Sequence, residues 1–503
     1  MALIKKTKHI NIKKPANMKK LTLAFFFSLL ACVIVNAQQY MYGTTSAGGA
    51  NGLGTIYRVD QNGQNIQKLF DFTTTTGGNP TAGLTLAGNG KLYGFTNSDG
   101  QIVNAGAVFA AGSFYEFDPL TNNLQVIQYF DDLSPTGYLH NISPLLHTNG
   151  LLYSTSEITG MGDDGKIWSY DINTGTISIL DTLDANIYGP NKSKLMEASD
   201  AHIYFTTASG STNGYGAIIR FNTATDSLEV VYASPGGFPN SNQFEGASNN
   251  PLFEASDGYL YGASKLGGAN NKGNLFKIEK NGNNYQNLWS FEWIVAIEGW
   301  DPQGGFIEKN GFLYSATAQH NQQDVNSGTF YKVELATGNL TFTNFLDFEG
   351  YRPIGTFIES SNGRFYITCS GGTITNGSIV EYNPLNGNIT QRHDFNIGNN
   401  GVNPLRNSLC LVDFSALSIN ESSLLDNVVK TYPNPFQDIV NIKVEGSYQI
   451  ETIKILDMKG SELYIDNSKS NESNVNTSFL SSGIYLLYIQ TDSGSITRKI
   501  IKE

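Results

Sequence analysis

Residues 40–60 read YMYGTTSAGGANGLGTIYRVD. Apolar residues around Tyr42 mark one strand. The polar, Gly-rich run from Ser46 to Leu53 marks a loop, and Gly54 opens a second apolar strand, GTIYRVD. The pattern recurs down the chain. MYG, LYG, LYS, IYF, LYG, LYS and FYI place a tyrosine at Tyr42, Tyr93, Tyr153, Tyr204, Tyr261, Tyr314 and Tyr366, spaced 51, 60, 51, 57, 53 and 52 residues apart. Each is followed by a polar loop and a strand opened by Gly54, Gly112, Gly165, Gly216, Gly273, Gly328 or Gly377. A turn such as NGQN or NTGT and a third strand such as QKLFDF complete the unit. A short strand with a tight turn such as Ser256-Asp257-Gly258 precedes six of the seven tyrosines. Four short strands at a period near the ~40–50 residues of known blades point to a β-propeller.

The first unit begins at Tyr40 and lacks its innermost strand, whereas an orphan strand from Pro404-Leu405 to Val412 follows the seventh unit. Pairing the two closes a ring of about seven blades and leaves no open inner edge. The repeats resemble the GloVer tandem repeat of choice-of-anchor surface proteins, LYGTTSxGGxNGxGTxF. The match runs through Tyr42-Gly43-Thr44-Thr45, Gly48-Gly49, Asn51-Gly52 and Gly54-Thr55-Ile56-Tyr57, and again through Tyr261-Gly262, Gly267-Gly268 and Gly273. The resemblance implies a propeller and export and leaves the activity open.

Both ends read as addresses. Met18-Lys19-Lys20, the apolar run LTLAFFFSLLACVIV and the small-residue pattern Val35-x-Ala37 before Gln38 form a signal peptide over 1–37, with Met18 an alternative start. The run is shorter than the ~20 apolar residues of a membrane span. Leu29-Leu30-Ala31-Cys32 offers a competing lipoprotein box, which the continuing apolar run disfavours. At the other end, VVKTYPNPFQDIVNIKV, IKILDMKGSEL and LSSGIYLLYIQTDSGSITRKIIKE alternate with period two, as a small antiparallel sandwich does. This end resembles the C-terminal sorting domain of type IX secretion cargo. The matching residues are Tyr432-Pro433-Asn434-Pro435-Phe436, Asp457 with Gly460, Gly483-Ile484-Tyr485 and the closing Lys499 to Lys502. The resemblance implies an outer-membrane translocon and a sortase as partners, and a secreted or surface-attached protein that passes through the periplasm. The expected architecture is all-β: a propeller over 38–414, a linker over 415–427 and a β-sandwich over 428–503.

Charge and composition exclude several functions. Net charge is -12, and the seven lysines of residues 1–37 and the -2 of residues 426–503 leave about -17 on the middle segment (-12 - 7 + 2). That field repels phosphate backbones, so no nucleic-acid partner is expected. No later apolar run is long enough to span a bilayer. Beyond the leader only Cys369 and Cys410 remain, either as one disulfide or as two free thiols. Neither has zinc-site neighbours, Asp163-Asp164 lacks calcium-loop spacing, and no His-x-x-x-His, Glu-x-x-His or Gly-x-Ser-x-Gly stands among the residues. No catalytic set, metal or cofactor is expected, and His147 and His202 fall near turns, where exposure is expected.

Strand order puts the loop after each tyrosine strand and the blade-to-blade connector on one end of the ring. The short Asp-Gly and Asn-Gly turns fall on the other. The connectors repeat a Gly–Pro device, from Gly78 to Pro80 through Gly401 to Pro404, suited to a tight descent into the inner strand. Tyr138, His140, Tyr188, Trp300, Asp301, Tyr351 and Arg352, with Phe238 and Phe244, are placed to ring the central mouth. Aromatic faces beside acids and an arginine suit sugar stacking or a peptide anchor. The expected function is a non-catalytic exported binding protein that holds a glycan or a peptide on this face. Two rivals stand beside it. One is a polysaccharide hydrolase or lyase using acids such as Glu245, Glu298 and Asp301; the other is a structural adhesin. Asp181-Thr182-Leu183 and Asp226-Ser227-Leu228 resemble bacterial O-glycosylation sites.

Overall fold

The computed structural model describes residues 39–80, 82–104, 107–157, 165–189, 191, 193–235, 244–247, 251–292, 298–319, 328–344, 352–370, 376–395, 401–404, 409–414, 428–445, 448–456, 462–467, 469–492 and 494–502. The expected signal peptide and the linker over 415–427 lie outside the described residues. Among those described, no helix is long and apolar enough to cross a membrane.

Seven antiparallel sheets, each with four strand positions, succeed one another from residue 39 to residue 413. Blade 2 shows the plan: Thr85–Leu86, Leu92–Thr96, Ala110–Asp118 and Asn123–Asp131 lie side by side from inner to outer edge. Blade 1 contains Gln39–Ala47, Thr55–Asp60 and Gln67–Asp71, and its inner position is filled from the far side of the repeat region. The expected orphan strand is two pieces, Val402–Pro404 and Cys410–Asp413. Both pair antiparallel with Gln39–Ala47, Thr45 opposite Pro404 and Tyr42 opposite Cys410.

The recurring apolar-Tyr dipeptide explains how the blades stack. Neighbouring residues of a strand point to opposite faces of its sheet, so one dipeptide feeds two seams. Leu260 lies in the core between blades 4 and 5, and Tyr261 in the core between blades 5 and 6. Phe365 and Tyr366 do the same for the seams on either side of blade 7. Seven hydrophobic clusters result, one per seam, and the cluster of Tyr366, Ile379 and Phe395 with Met41, Tyr57 and Val59 closes the ring between blades 7 and 1. Each tyrosine is 5% exposed or less. Burying a ring of this size stabilises by about 2–3 kcal/mol.

The glycines mark close approaches. Gly43, Gly94 and Gly262 follow their tyrosines, and a Cβ there would meet the tip of the Tyr57, Tyr115 or Phe276 side chain at 2.3–2.5 Å. The Gly–Pro device has a cause the sequence reading did not anticipate. Four of the prolines pack against the glycine that opens the third strand of the preceding blade. A Cβ on Gly54, Gly273, Gly328 or Gly377 would lie 2.8, 2.6, 2.2 or 2.1 Å from the Cδ of Pro80, Pro302, Pro353 or Pro404. The last of these pairs joins blade 7 to the segment that completes blade 1.

The C-terminal region forms two sheets around one core. Val429–Tyr432, Ile439–Val444 and Glu472–Asn476 make the first. Glu462–Asp466, Ile450–Leu456, Gly483–Thr491 and Gly494–Lys502 make the second. Val440, Ile442, Ile453, Ile455, Leu487 and Ile489 fill the space between them.

Candidate functional site

The long loops and the connectors share one end of the propeller, and polar contacts tie them together. In blade 2 the Asp131 carboxylate accepts from the Val103 and Asn104 N–H groups at 2.9 and 2.7 Å, from Asn104 Nδ2 at 2.8 Å and from Ser134 Oγ at 3.2 Å. Burial alone would raise its pKa; the bonds from Asn104, Val103 and Leu133 outweigh that and hold the carboxyl below its usual range. Asp132 accepts from the Val108 N–H at 2.8 Å. Two aspartates therefore pin a loop that carries Ile102, Val103, Val108 and Phe109, all 46–81% exposed. Tyr138 stands edge-on to Phe109 at 5.7 Å.

The other expected site residues divide by burial. His140 does not face the mouth. It is 0% exposed, occupies the place that proline takes in blades 6 and 7, and stacks on Phe95 at 4.7 Å and Phe130 at 4.3 Å. Its Nδ1 donates to the Thr155 carbonyl at 3.1 Å in the neutral ring, and burial pushes its pKa down to about 4. Asp301 is also buried, at 1% exposure, in a left-handed conformation (φ 59°), and Gln303 Nε2 donates to it at 2.6 Å. Trp300 is half-buried with the Lys272 ammonium 4.9 Å above its ring. Tyr188 is half-buried in the seam between blades 3 and 4. Arg352 is partly exposed, and its carbonyl accepts from the Ser370 N–H at 3.1 Å. Tyr351 and Phe238 lie outside the described residues, and of Phe244 and Glu245 only the backbone is described. Burial raises the Glu298 carboxyl, with Glu292 adding to the effect. Among the described residues, no hydrogen bond or ring contact joins Tyr138, Tyr188, Trp300 and Arg352 to one another; they are spread over four connectors.

The short-turn end is stitched from blade to blade. Thr148 donates its N–H to Glu197 at 2.9 Å. Ser199 and Ser256 donate their hydroxyls to Glu254 at 2.7 Å and Glu308 at 2.5 Å, each glutamate belonging to the following blade. Lys280 joins Glu254 at 2.6 Å. A shallow cleft of about 520 Å³ lies here among Ser199, Glu254, Ser256, Glu308, Lys309 and Asn310, but these contacts already occupy its carboxylates. The expected exposure of the two turn histidines is corrected. His147 is 4% exposed, accepts the Asn149 N–H at Nδ1 and donates from Nε2 to the Ala201 carbonyl at 3.1 Å; His202 is partly buried. Cys369 and Cys410 are both free thiols. Among the described residues, no group of three or more His, Cys, Asp or Glu side chains is placed to hold a metal ion.

In the C-terminal domain the separated motifs meet at one corner. Asn434 Oδ1 accepts the Ile501 N–H at 2.9 Å, and the Phe436 N–H donates to the Ile501 carbonyl at 2.9 Å. Lys502 donates to the Gln437 carbonyl, pairs with Asp438 at 3.2 Å and lies 5.8 Å from the centre of the Phe436 ring. Tyr432 is 45% exposed beside Pro433 and Pro435, and Tyr485 donates to the Ser481 carbonyl at 2.7 Å. Gly483 opens the strand that pairs with Gly494–Lys502, where Lys499 stands opposite Leu486; Gly460 lies outside the described residues.

Two features escaped the sequence reading. In five blades the tyrosine hydroxyl bonds an Asn or Asp four residues before it: Asn89, Asn149, Asp200, Asp257 and Asn362, at 2.8–2.9 Å. Aligning the units on tyrosine shows this turn residue directly. The second is Lys194, at the start of the blade 4 inner strand, where the other aligned units carry small residues or proline.

Residues 140–366 match the Gloeobacter/Verrucomicrobia repeat, and residues 430–503 match the secretion system C-terminal sorting domain. The sorting domain implies processing by the type IX secretion machinery and secretion or attachment at the outer-membrane surface. No curated protein matches the chain. Among solved structures it is similar to the protein assigned as a 6-phosphogluconolactonase from Bacteroides fragilis, with 17% identity over 76% of this chain and 99% of that one, TM-score 0.49. It is also similar to the β-propeller domain of the Trilobed protease from Pyrococcus furiosus, with 8% identity over 73% and 90% of the two chains, TM-score 0.39.

Proposed function

For a type IX-sorted propeller built on the Gloeobacter/Verrucomicrobia repeat, we propose a binding role: the long-loop end holds a glycan or a peptide, without chemistry. The observation that carries this is the blade 2 loop. Exposed apolar side chains on a loop are ordinarily mobile, and ordering them costs binding energy. Here Asp131 and Asp132 order the loop in advance by bonding its N–H groups, so Phe109 and Tyr138 stand ready as a rigid aromatic pair. Trp300, with a lysine over its ring, supplies a second aromatic face on another connector.

The test incubates the chain from residue 38 with polysaccharides, peptidoglycan and peptides, scoring retention and released product together. The expected outcome is retention without product, weakened at least tenfold by Tyr138→Ala or Trp300→Ala. New reducing or unsaturated ends would replace this reading with the hydrolase or lyase. Absence of retention across the panel would replace it with the structural adhesin.

A further inference from the structure

Each inner strand can be aligned by the residue that pairs with its blade tyrosine, such as Leu145 opposite Tyr153 and Met196 opposite Tyr204. Two residues earlier, toward the long-loop end, blades 2 to 7 carry Gly83, Ser143, Lys194, Pro251, Gly305 and Thr356. Five of these are small or cyclic, and one is a lysine. The innermost strand borders the channel of a propeller, so a long side chain at this level has one direction in which to extend. Leu195 is packed into the seam between blades 3 and 4, which turns Lys194 to the other face. The electrostatics agree. Lys194 on blade 4 and Cys410 on blade 1 are three blades apart round the ring, yet each alters the other's proton affinity. The central channel is the path that connects them.

Lys194 is partly exposed and has no carboxylate partner among the described residues. An unpaired ammonium in a desolvated site is costly, and burial shifts Lys194 toward its neutral form. In the same layer, Ser143 is 3% exposed and its hydroxyl has no hydrogen-bond partner. Lys194 and Ser143 share one level of the inner strands, and neither donor has an acceptor among the described residues.

We propose that the central channel is an anion site in which the Lys194 ammonium receives the carboxylate of the ligand held at the long-loop mouth, with Ser143 as a second donor. This rests on the binding role proposed above and narrows it to carboxylate-bearing ligands. A carboxylate is favoured over phosphate because the middle segment carries about -17, so a dianion is repelled more strongly than a monoanion.

The test titrates the chain from residue 38 by calorimetry, at pH 7 and fixed ionic strength, with glucuronate, glucose, acetate and inorganic phosphate. Saturable binding of glucuronate, at least tenfold tighter than glucose, is expected. Lys194→Met abolishes the difference while its melting temperature stays level or rises, because an unpaired charge is removed; Lys194→Arg keeps the difference. Equal binding of glucuronate and glucose, phosphate binding tighter than either carboxylate, or no saturable carboxylate binding would each overturn the proposal. The two readings fail separately. Retention of neutral polysaccharides or peptides without any carboxylate response sinks the channel site alone. A Lys194-dependent acetate response in a chain that retains nothing from the panel sinks the mouth reading alone.

Discussion

At the short-turn end, Ser199 and Ser256 each give a backbone N–H and a hydroxyl to a glutamate of the following blade. At the long-loop end, Ser143 Oγ, His140 Nε2, Trp300 Nε1 and Arg352 Nε are buried without a hydrogen-bond partner. Buried polar atoms are ordinarily satisfied, and exceptions concentrate where a protein binds or reacts. The short-turn end holds neighbouring blades in register through these glutamates, whereas the long-loop end carries four such atoms against His202 Nδ1 at the short-turn end.

The sharpest way to break this comparison is acid, because the two ends respond in different windows. His140 takes up its proton near pH 4 when folded and near 6.5 when unfolded. Its contribution is therefore complete above pH 6.5 and is lost as pH falls toward 4, by about 3 kcal/mol in all. Urea midpoints followed by tryptophan fluorescence should fall across this window in the parent chain. His140→Phe, which keeps the ring stack, should flatten the slope; an unchanged slope would remove His140 as its source.

Glu254 tests the other end. Burial favours its protonated form, but Lys280 and the Ser199 N–H and hydroxyl outweigh burial and hold its pKa below the usual carboxylate value. Its contribution is present above pH 4.5 and is lost as pH falls below that. Glu254→Ala leaves the Ser199 N–H and Lys280 without their acceptor and should cost about 2 kcal/mol at pH 7. Hydrogen exchange should show the opening confined to the turns of blades 4 and 5. Opening spread evenly over the ring would mean that the glutamates do not act seam by seam.

The smallest effect comes from a matched pair. Ser256→Ala removes a satisfied hydroxyl and should cost about 1 kcal/mol, whereas Ser143→Ala removes an unsatisfied one and should be neutral or stabilising. Equal costs in thermal melts would erase the distinction between the ends.

Much of this architecture was legible in the residues because β-structure writes its geometry into short periods. The Leu-Tyr dipeptide feeds two seams through the alternation of neighbouring side chains. Gly54, Gly273 and Gly377 stand where a side chain would strike a proline of the next blade. The site was less legible. Tyr138 and Trp300 lie on the connectors as expected, but His140, in the same kind of segment, turned inward to stack on Phe95 and Phe130. Within a connector, the direction of a side chain depends on a neighbouring blade about 50 residues away, which no local pattern encodes.

By itself, the sequence determined the blade count, the closing strand, the shared end of the long loops and the sorting motifs, since each rests on repetition or local order. Tertiary structure alone decided two things: that Asn434 meets Ile501, and that Asp131 orders a distant loop. Those depend on where the closed ring and the folded sandwich bring remote backbone together, and burial assigns a charge or a hydroxyl its role only after that closure.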